Sequence, residues 1–473
     1  MGKARSSFQR SEFDAVEYAL YIYPVSSRLS DNVFEHLEFA LKNEGINLHI
    51  LKKVLLQIAP SEITTYLENQ PTGKYARILW YLYENFRFIK LALPDLQQGS
   101  YVDLLNAKEY YCSKSKRSSR HRIADNLLGS LHFAPIVRKT ALLDAYEKRE
   151  LGQLARALTK QYDPALIARA MRYMYTKETM SSWEIEREKP DQAKLMKFVG
   201  LLHKADSIGT LSEEIFVELQ KNIVDPRFAL NSYRDFQNYI GEEPSMGQMI
   251  VHYVCPRPED VRDLMNGLIY SFDRIEQSDM SPVIAAAILS FLFVYIHPFE
   301  DGNGRVHRFL IHYVLARLKF TPEGMVFPIS ATIAKNMQRY DKVLESFSRP
   351  VMELITEYSV NEIGEMKVLQ DTQDLYRYID CTQVAEYLYE CVDKTITTDF
   401  RKELEFFADY DSSKRLSKDI VDMPDQRIDL FIKCVHQNGG VLSSRKREDY
   451  FKVLTDDEIK KMEEVINRYS KRD

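Results

Sequence analysis

Ser281 to Arg308 reads SPVIAAAILSFLFVYIHPFEDGNGRVHR, and two helices meet inside it. Serine followed by proline is a helix start: the serine caps, and the proline takes the first helical position, where its missing amide costs nothing. Val283 to Ile296 is apolar except for Ser290, which predicts a helix buried nearly all round. The run is shorter than the about 18 apolar residues that a membrane crossing needs. His297 precedes Pro298, and a residue before proline is driven out of the helical region. The helix should therefore stop at about His297, with the histidine displayed at the end of a buried rod.

A second helix is expected from about Arg305, because Val306, Phe309, Leu310, Tyr313, Val314 and Leu318 recur at helical spacing and mark one apolar face. Its approach, Asp301-Gly302-Asn303-Gly304, has glycines that let the backbone come close to a ligand, and the free amides of a helix N-terminus attract anions. Arg305 and Arg308 share a helix face, so both guanidiniums can address one polyphosphate. Asp301 suits a magnesium ion, which takes one or two carboxylates together with phosphate oxygens. His297 remains as a general base for an incoming hydroxyl. A P-loop and a dinucleotide fingerprint are excluded, since no Gly-Lys-Ser/Thr follows and His307 stands where a third glycine would be. A metal-hydrolase site built from His252, His297, Asp301 and His307 fits less well, because the chain has no HExxH.

HPFEDGNGRVHR resembles the Fic family signature HPFx[DE]GNGRxxR at every fixed position. The resemblance implies a mainly α-helical Fic-type core and a nucleotidyltransferase that moves AMP from ATP to a Ser, Thr or Tyr hydroxyl of a target protein, releasing pyrophosphate. By the same resemblance His297 is the base and Asp301 the Mg²⁺ ligand. Gly302, Asn303 and Gly304 form the anion hole for the α- and β-phosphates, Arg305 supports it, Arg308 binds the γ-phosphate, and Phe299 is a core anchor. Some family members use other nucleotides, transfer phosphocholine or remove AMP, so the motif leaves the transferred group open.

Arg234 to Gly241 (RDFQNYIG) and Met249 to Val254 (MIVHYV) are strand-like and flank the turn-rich EEPSMGQ, which reads as a β-hairpin with a backbone edge for an extended peptide. RxxQNYIG followed by HYVCPRPEDVRDLM resembles the family's target flap, and implies Arg234, Gln237, Tyr239 and Tyr253 as flap residues. Phe327 to Tyr340 resembles the region after the active-site helices, where Tyr340 would help to hold the base; many members have two tyrosines there, and this chain has Arg339-Tyr340. Many Fic proteins also carry an inhibitory [ST]xxxE[GN] helix whose glutamate pairs with the second motif arginine. SWEIER, Ser182 to Arg187, supplies Ser182 and Glu186 at that spacing, with Arg187 in place of glycine or asparagine. A carboxylate on Arg308 would occupy the phosphate donors and repel the incoming anion.

The chain has 473 residues, is 45% hydrophobic and carries a net charge of -5. That length suggests about two to four domains, and the charge argues against a general polyanion binder. Its five cysteines form no CxxC pair, as expected of reduced thiols in a cytoplasmic protein. No secretory segment opens it, and MGKARS fits a loose myristoylation pattern that we weigh against, so no membrane partner is expected. The pattern divides into a helical domain at 1-150, a Fic region at 161-365 and a helical domain at 371-473. QNGGVLSSRKR (437-447) could be the turn of a small helix-turn-helix or winged-helix module. The basic segments 114-122 (KSKRSSRHR) and 437-447 are the candidate nucleic-acid contacts. Two functions compete: a protein adenylyltransferase restrained by a glutamate and able to modify itself, and a regulatory DNA- or protein-binding factor whose Fic core senses nucleotide.

Overall fold

Ser281 accepts a hydrogen bond from the Val283 amide and caps the helix Pro282–Ile296, as its Ser-Pro start predicts. The computed structural model describes residues 9-12, 19-22, 29-242 and 249-470; the turn at 243-248 and the MGKARS segment lie outside them. Every side chain from Val283 to Ile296 except Val294 is buried. This apolar rod packs against the helices Pro258–Glu276, Asn303–Arg317 and Thr382–Lys394, so the hydrophobic core of this part of the chain is built around it.

Between the two motif helices the chain reverses over a few residues. His297 ends the first helix in the left-handed region, φ 53°, and Gly302 caps the second at φ 88°. The second helix begins at Asn303, two residues before the expected Arg305. The cause is Asn303 itself: its Oδ1 accepts from the Phe299 amide at 3.0 Å and its Nδ2 donates to the Phe299 carbonyl at 2.8 Å. That reciprocal pair closes the turn and starts the helix early. Phe299 is fully buried against Phe293 and Tyr233. The single apolar face expected for this helix is also too narrow, because Arg305, His307, Arg308 and His312 are buried along with the hydrophobic residues.

The chain separates into two compact units, Met1–Ala134 and Pro135–Asp473. In the larger one, the long helix Pro164–Ile185 lies against Gln192–His203, Ile329–Ala334 and Arg401–Ile420 and reaches the motif helix 303-317. The hairpin is present as Tyr239–Glu242 and Ile250–Val254, antiparallel, with a register shift between Ile240 and Gly241. Its first strand is shorter than expected, for residues 234-238 form no strand. At the C-terminal end, Asp425–Gln437 and Asp456–Ser470 share a core of Phe431, Val435, Met462 and Ile466, joined by Phe451, which follows the short helix Ser444–Tyr450. No strand that could serve as a wing is among the described residues there.

The smaller unit has helices at Val33–Asn43 and Lys74–Arg87. It also has an element the pattern does not suggest, a three-stranded sheet of Val102–Asp103, Ile123–Asp125 and Lys116–Ser118 in that order. In the basic run at 114-122, Lys114, Lys116 and Arg117 are exposed, and the last three residues are engaged within the unit. Arg120 pairs with the buried Glu84 at 2.7 Å and with Asp95 at 2.5 Å, His121 reaches Glu84 at 2.9 Å, and Arg122 donates to the Leu96 and Gln97 carbonyls. Arg120, His121 and Arg122 thereby tie the unit together.

The motif turn gives a direct stability test. A Cβ on Gly302 would lie 2.7 Å from Cγ1 of Val224, in a backbone conformation that already disfavours a side chain. We predict that Gly302→Ala destabilises the protein by about 1–3 kcal/mol, read as a lower denaturant midpoint. Gly209→Ala, whose added methyl meets nothing within 4 Å, is the control. Equal midpoints for the two variants would refute the account of the turn.

Candidate active site

His297 is held at both ends of its structure. Its amide donates to the Phe293 carbonyl, and its Nδ1 lies 3.1 Å from the carbonyl of Val294. A carbonyl can only accept, so Nδ1 carries the proton and Nε2 presents a lone pair. Burial pushes the imidazole down to about 4. The Arg234 cation acts in the same direction, while Glu186 and Asp301 oppose it. At neutral pH the ring is uncharged and able to accept a proton.

Next to it stands a helix N-terminus made for an anion. The amides of Asn303, Gly304 and Arg305 head the helix and have no acceptor within it, and the helix dipole adds positive potential there. Arg305 donates to Asp301 Oδ1 at 2.7 Å and to Glu188 at 3.2 Å, and its guanidinium lies over the Trp183 ring. Arg308 is 1% exposed. It donates to the Ser182 hydroxyl at 2.8 Å, the Ser182 carbonyl at 2.7 Å and Glu186 Oε1 at 2.7 Å. Gly304 has to be glycine for this arrangement to exist, because a Cβ there would stand 2.2 Å from Glu186 Oε1. The Glu186 carboxylate thus lies against the anion-binding end of the helix, as a phosphate would.

The end of the 164-185 helix explains the unusual Arg187. Glu186 is the last residue of the helical turn, and the Glu188 amide reaches back to the Trp183 carbonyl at 3.0 Å. That closure requires a left-handed residue between them, normally glycine or asparagine. Arg187 takes it at φ 58°. A second tie, absent from any short motif, anchors the same helix to the same partner. Buried Glu178 accepts from Ser330 and bonds His312 Nε2 at 2.7 Å. Glu178 lies two turns before Glu186 and His312 one turn after Arg308. The two spacings differ, so no simple match between the helices marks this pair in the sequence.

The four expected flap residues bond inward. Arg234 is 2% exposed and donates to three backbone carbonyls. Gln237 holds the Cys255 carbonyl at 2.8 Å, Tyr239 the Gly364 carbonyl at 3.0 Å, and buried Tyr253 the Tyr295 carbonyl at 2.6 Å. They build the hairpin, and the side chains it exposes are Ile240, Glu242, Ile250 and His252. A cavity of about 520 Å³ lies beneath it, bounded by Ile240, Val251, Val294, Asp341, Leu344 and Met352 among others. Tyr340, expected beside the nucleotide base, is not in that lining; it is buried, with its hydroxyl toward Arg308. The rival metal site is not assembled: His307 is buried with Nδ1 on the Ser290 carbonyl at 2.7 Å, His252 is exposed on the hairpin, and no cluster of three ligating side chains exists among the described residues.

Residues 210–315 match the model of the Fic/DOC family. The chain carries a Fic/DOC domain. A protein adenylyltransferase Fic of Nematostella vectensis is 30% identical over 131 residues, 27% of this chain and 28% of that one. A namesake from Aedes aegypti is 32% identical over 132 residues, 27% of this chain and 24% of its own. The chain thus spans about a quarter of the length of these relatives. A solved Fic-domain signalling protein of Bacteroides thetaiotaomicron aligns at a TM-score of 0.39 and 19% identity, over 55% of this chain and 96% of its own, too low a score to add to the assignment.

The state of His297 can be tested without assuming a reaction. Diethyl pyrocarbonate attacks only neutral imidazole, so modification of His297, followed by peptide mass spectrometry, should continue down to about pH 4. Because folding lowers this pKa, the unfolded chain takes up a proton as pH falls below about 6.5 that the native chain still refuses, and stability drops through that window. Loss of reactivity near pH 6.5 would disprove a depressed pKa.

Proposed function

We propose that the protein is an adenylyltransferase that moves AMP from ATP to a Ser, Thr or Tyr hydroxyl of a target protein, and that Glu186 restrains it. The observation that carries this reading is the contact of a carboxylate with Arg308 and the helix N-terminus at Gly304. Donors arranged around one anion accept another of similar geometry, and a phosphate oxygen is the natural competitor. The cavity under the hairpin has a volume in the range of small-molecule sites and reaches Val294, whose carbonyl orients His297.

In this mechanism the target hydroxyl oxygen attacks the α-phosphorus and gives its proton to Nε2 of His297. The bond from that phosphorus to the bridging oxygen breaks, and pyrophosphate leaves. The amides of Asn303, Gly304 and Arg305 neutralise charge on the phosphates, and Arg308 holds the terminal one once Glu186 has withdrawn. Asp301 fits a Mg²⁺ ion: it is half exposed, and its Oδ1 is engaged by Arg305 and the Gly302 amide, which directs Oδ2 to a cation. Bound there, the ion would offset phosphate charge. With a single carboxylate to offer, it would depend on the nucleotide for its other ligands. The 437-447 segment does not favour the DNA-binding alternative, since Arg445 and Arg447 are paired with Asp449 and Asp456 and the next helix opens with Asp456, Asp457 and Glu458.

Two predictions test the reading. Glu186→Gly should raise labelling of the purified chain, or of added protein, from α-labelled ATP by about tenfold or more, as the loss of one charge-assisted bond of about 1.5–3 kcal/mol implies; an unchanged rate would reject the brake. His297→Ala in that background should abolish labelling while nucleotide affinity stays within about twofold, since no phosphate contact is removed. Labelling that persists would remove His297 from the mechanism.

A further inference from the structure

We propose that Arg234 is a positioning residue that joins the backbone of His297 and both roots of the hairpin into one rigid piece, fixing the distance between a hydroxyl presented by the hairpin and the base that deprotonates it. The inference rests on the transferase reading above and assigns Arg234 a part that hairpin membership alone does not.

The guanidinium makes three bonds in three directions. Nε donates to the His297 carbonyl at 2.8 Å, Nη1 to the Phe236 carbonyl at 2.7 Å and Nη2 to the Pro256 carbonyl at 2.6 Å. His297 ends the core helix, Phe236 precedes the first strand, and Pro256 comes after the second. The Arg234 amide adds a fourth tie, to the Pro298 carbonyl at 2.9 Å. The His297 carbonyl is available because a helix leaves its last carbonyls without internal partners. Further bonds repeat the connection: Asn238 Nδ2 reaches the Phe299 carbonyl at 3.2 Å, and Gln237 Nε2 the Cys255 carbonyl at 2.8 Å.

The choice of residue supports a geometric role. All three side-chain acceptors are neutral carbonyls, and burial disfavours the charged form of Arg234. A buried cation held only by dipoles is a poor way to fill space, for which an apolar side chain serves better. What arginine supplies is a flat fork whose donors leave at fixed angles. Lysine can reach one or two of these carbonyls and cannot hold all three in a plane. Displacement of a reacting group by about 1 Å costs on the order of 100-fold in rate, so a clamp between base and hairpin acts on transfer and leaves nucleotide binding alone.

The test uses the full chain carrying Glu186→Gly, with Arg234→Lys and Arg234→Met added singly. Three quantities are measured: affinity for a fluorescent ATP analogue, the rate of labelling from α-labelled ATP per folded molecule, and amide hydrogen exchange in 250-254 and 297-299. Both variants should bind the analogue within about twofold of the parent, label at least about tenfold more slowly, and exchange faster in both segments together, with the lysine variant between the parent and the methionine variant. Unchanged labelling overturns the proposal, as does a parallel loss of binding and labelling, or faster exchange in one segment only. If Arg234→Met does not fold, Arg234→Lys carries the same comparison. Should the Glu186→Gly parent itself transfer nothing, the transferase reading fails, and the exchange data still decide whether Arg234 joins the two segments.

Discussion

A guanidinium sealed inside a protein needs either a full set of neutral acceptors, as Arg234 has, or an anion; Arg308, with two neutral acceptors from Ser182, takes the anion. Stripping a buried charge of its partner costs about 3–5 kcal/mol, so a carboxylate or phosphate oxygen beside Arg308 is strongly favoured. Much of the surrounding structure answers that requirement. The helix that carries Arg308 is buried on all sides, Ser182 supplies two further acceptors, and position 304 lacks a side chain so that an anion can come close. Glu186 meets the need from a partly exposed position, its side chain 36% accessible. A carboxylate with one side toward water is weaker than a fully enclosed one, and can be displaced without moving the core.

The rest of the site is organised by how two helices end. The core helix finishes in a left-handed histidine whose own ring bonds back to that helix. The motif helix starts at a left-handed glycine, braced by an asparagine that grips the loop. Each end leaves backbone groups without internal partners: carbonyls on the first helix, amides on the second. Arg234 takes the carbonyl of one, and the amides of the other face Glu186. The chemistry lies at the termini because that is where a helix has hydrogen-bonding capacity to spare.

The motif helices were legible because their signals are long and redundant. Fourteen consecutive positions with a single polar residue leave little choice but burial, and HPFEDGNGRVHR constrains both the turn and the helix after it. The hairpin was legible too, but the roles of its residues were not. A sequence says that Arg234 and Tyr253 belong to the element and does not say which way their side chains point, and both point inward. Nor does it say that Tyr340 is buried with its hydroxyl toward Arg308. The three-stranded sheet at 102-125 escaped because its strands have two or three residues, too few for an alternating pattern to emerge. The cations at 120-122 looked available for a partner, since nothing local reveals that Glu84, some 36 residues earlier, takes up the first of them.

Arg187 gives the end of the 164-185 helix a property of its own. Glycine at that position would accept the left-handed backbone at no cost; arginine holds it at φ 58° against a steric penalty of about 1–2 kcal/mol. That energy is stored at the residue next to Glu186 and is recovered when the final turn uncoils. The helix is pinned further back by Glu178 on His312, so the strain falls on its last turn. Under the proposed restraint by Glu186, the residue at 187 would set how readily that glutamate withdraws while leaving every contact of Glu186 in place, so two chains with the same glutamate and the same motif would be restrained to different degrees.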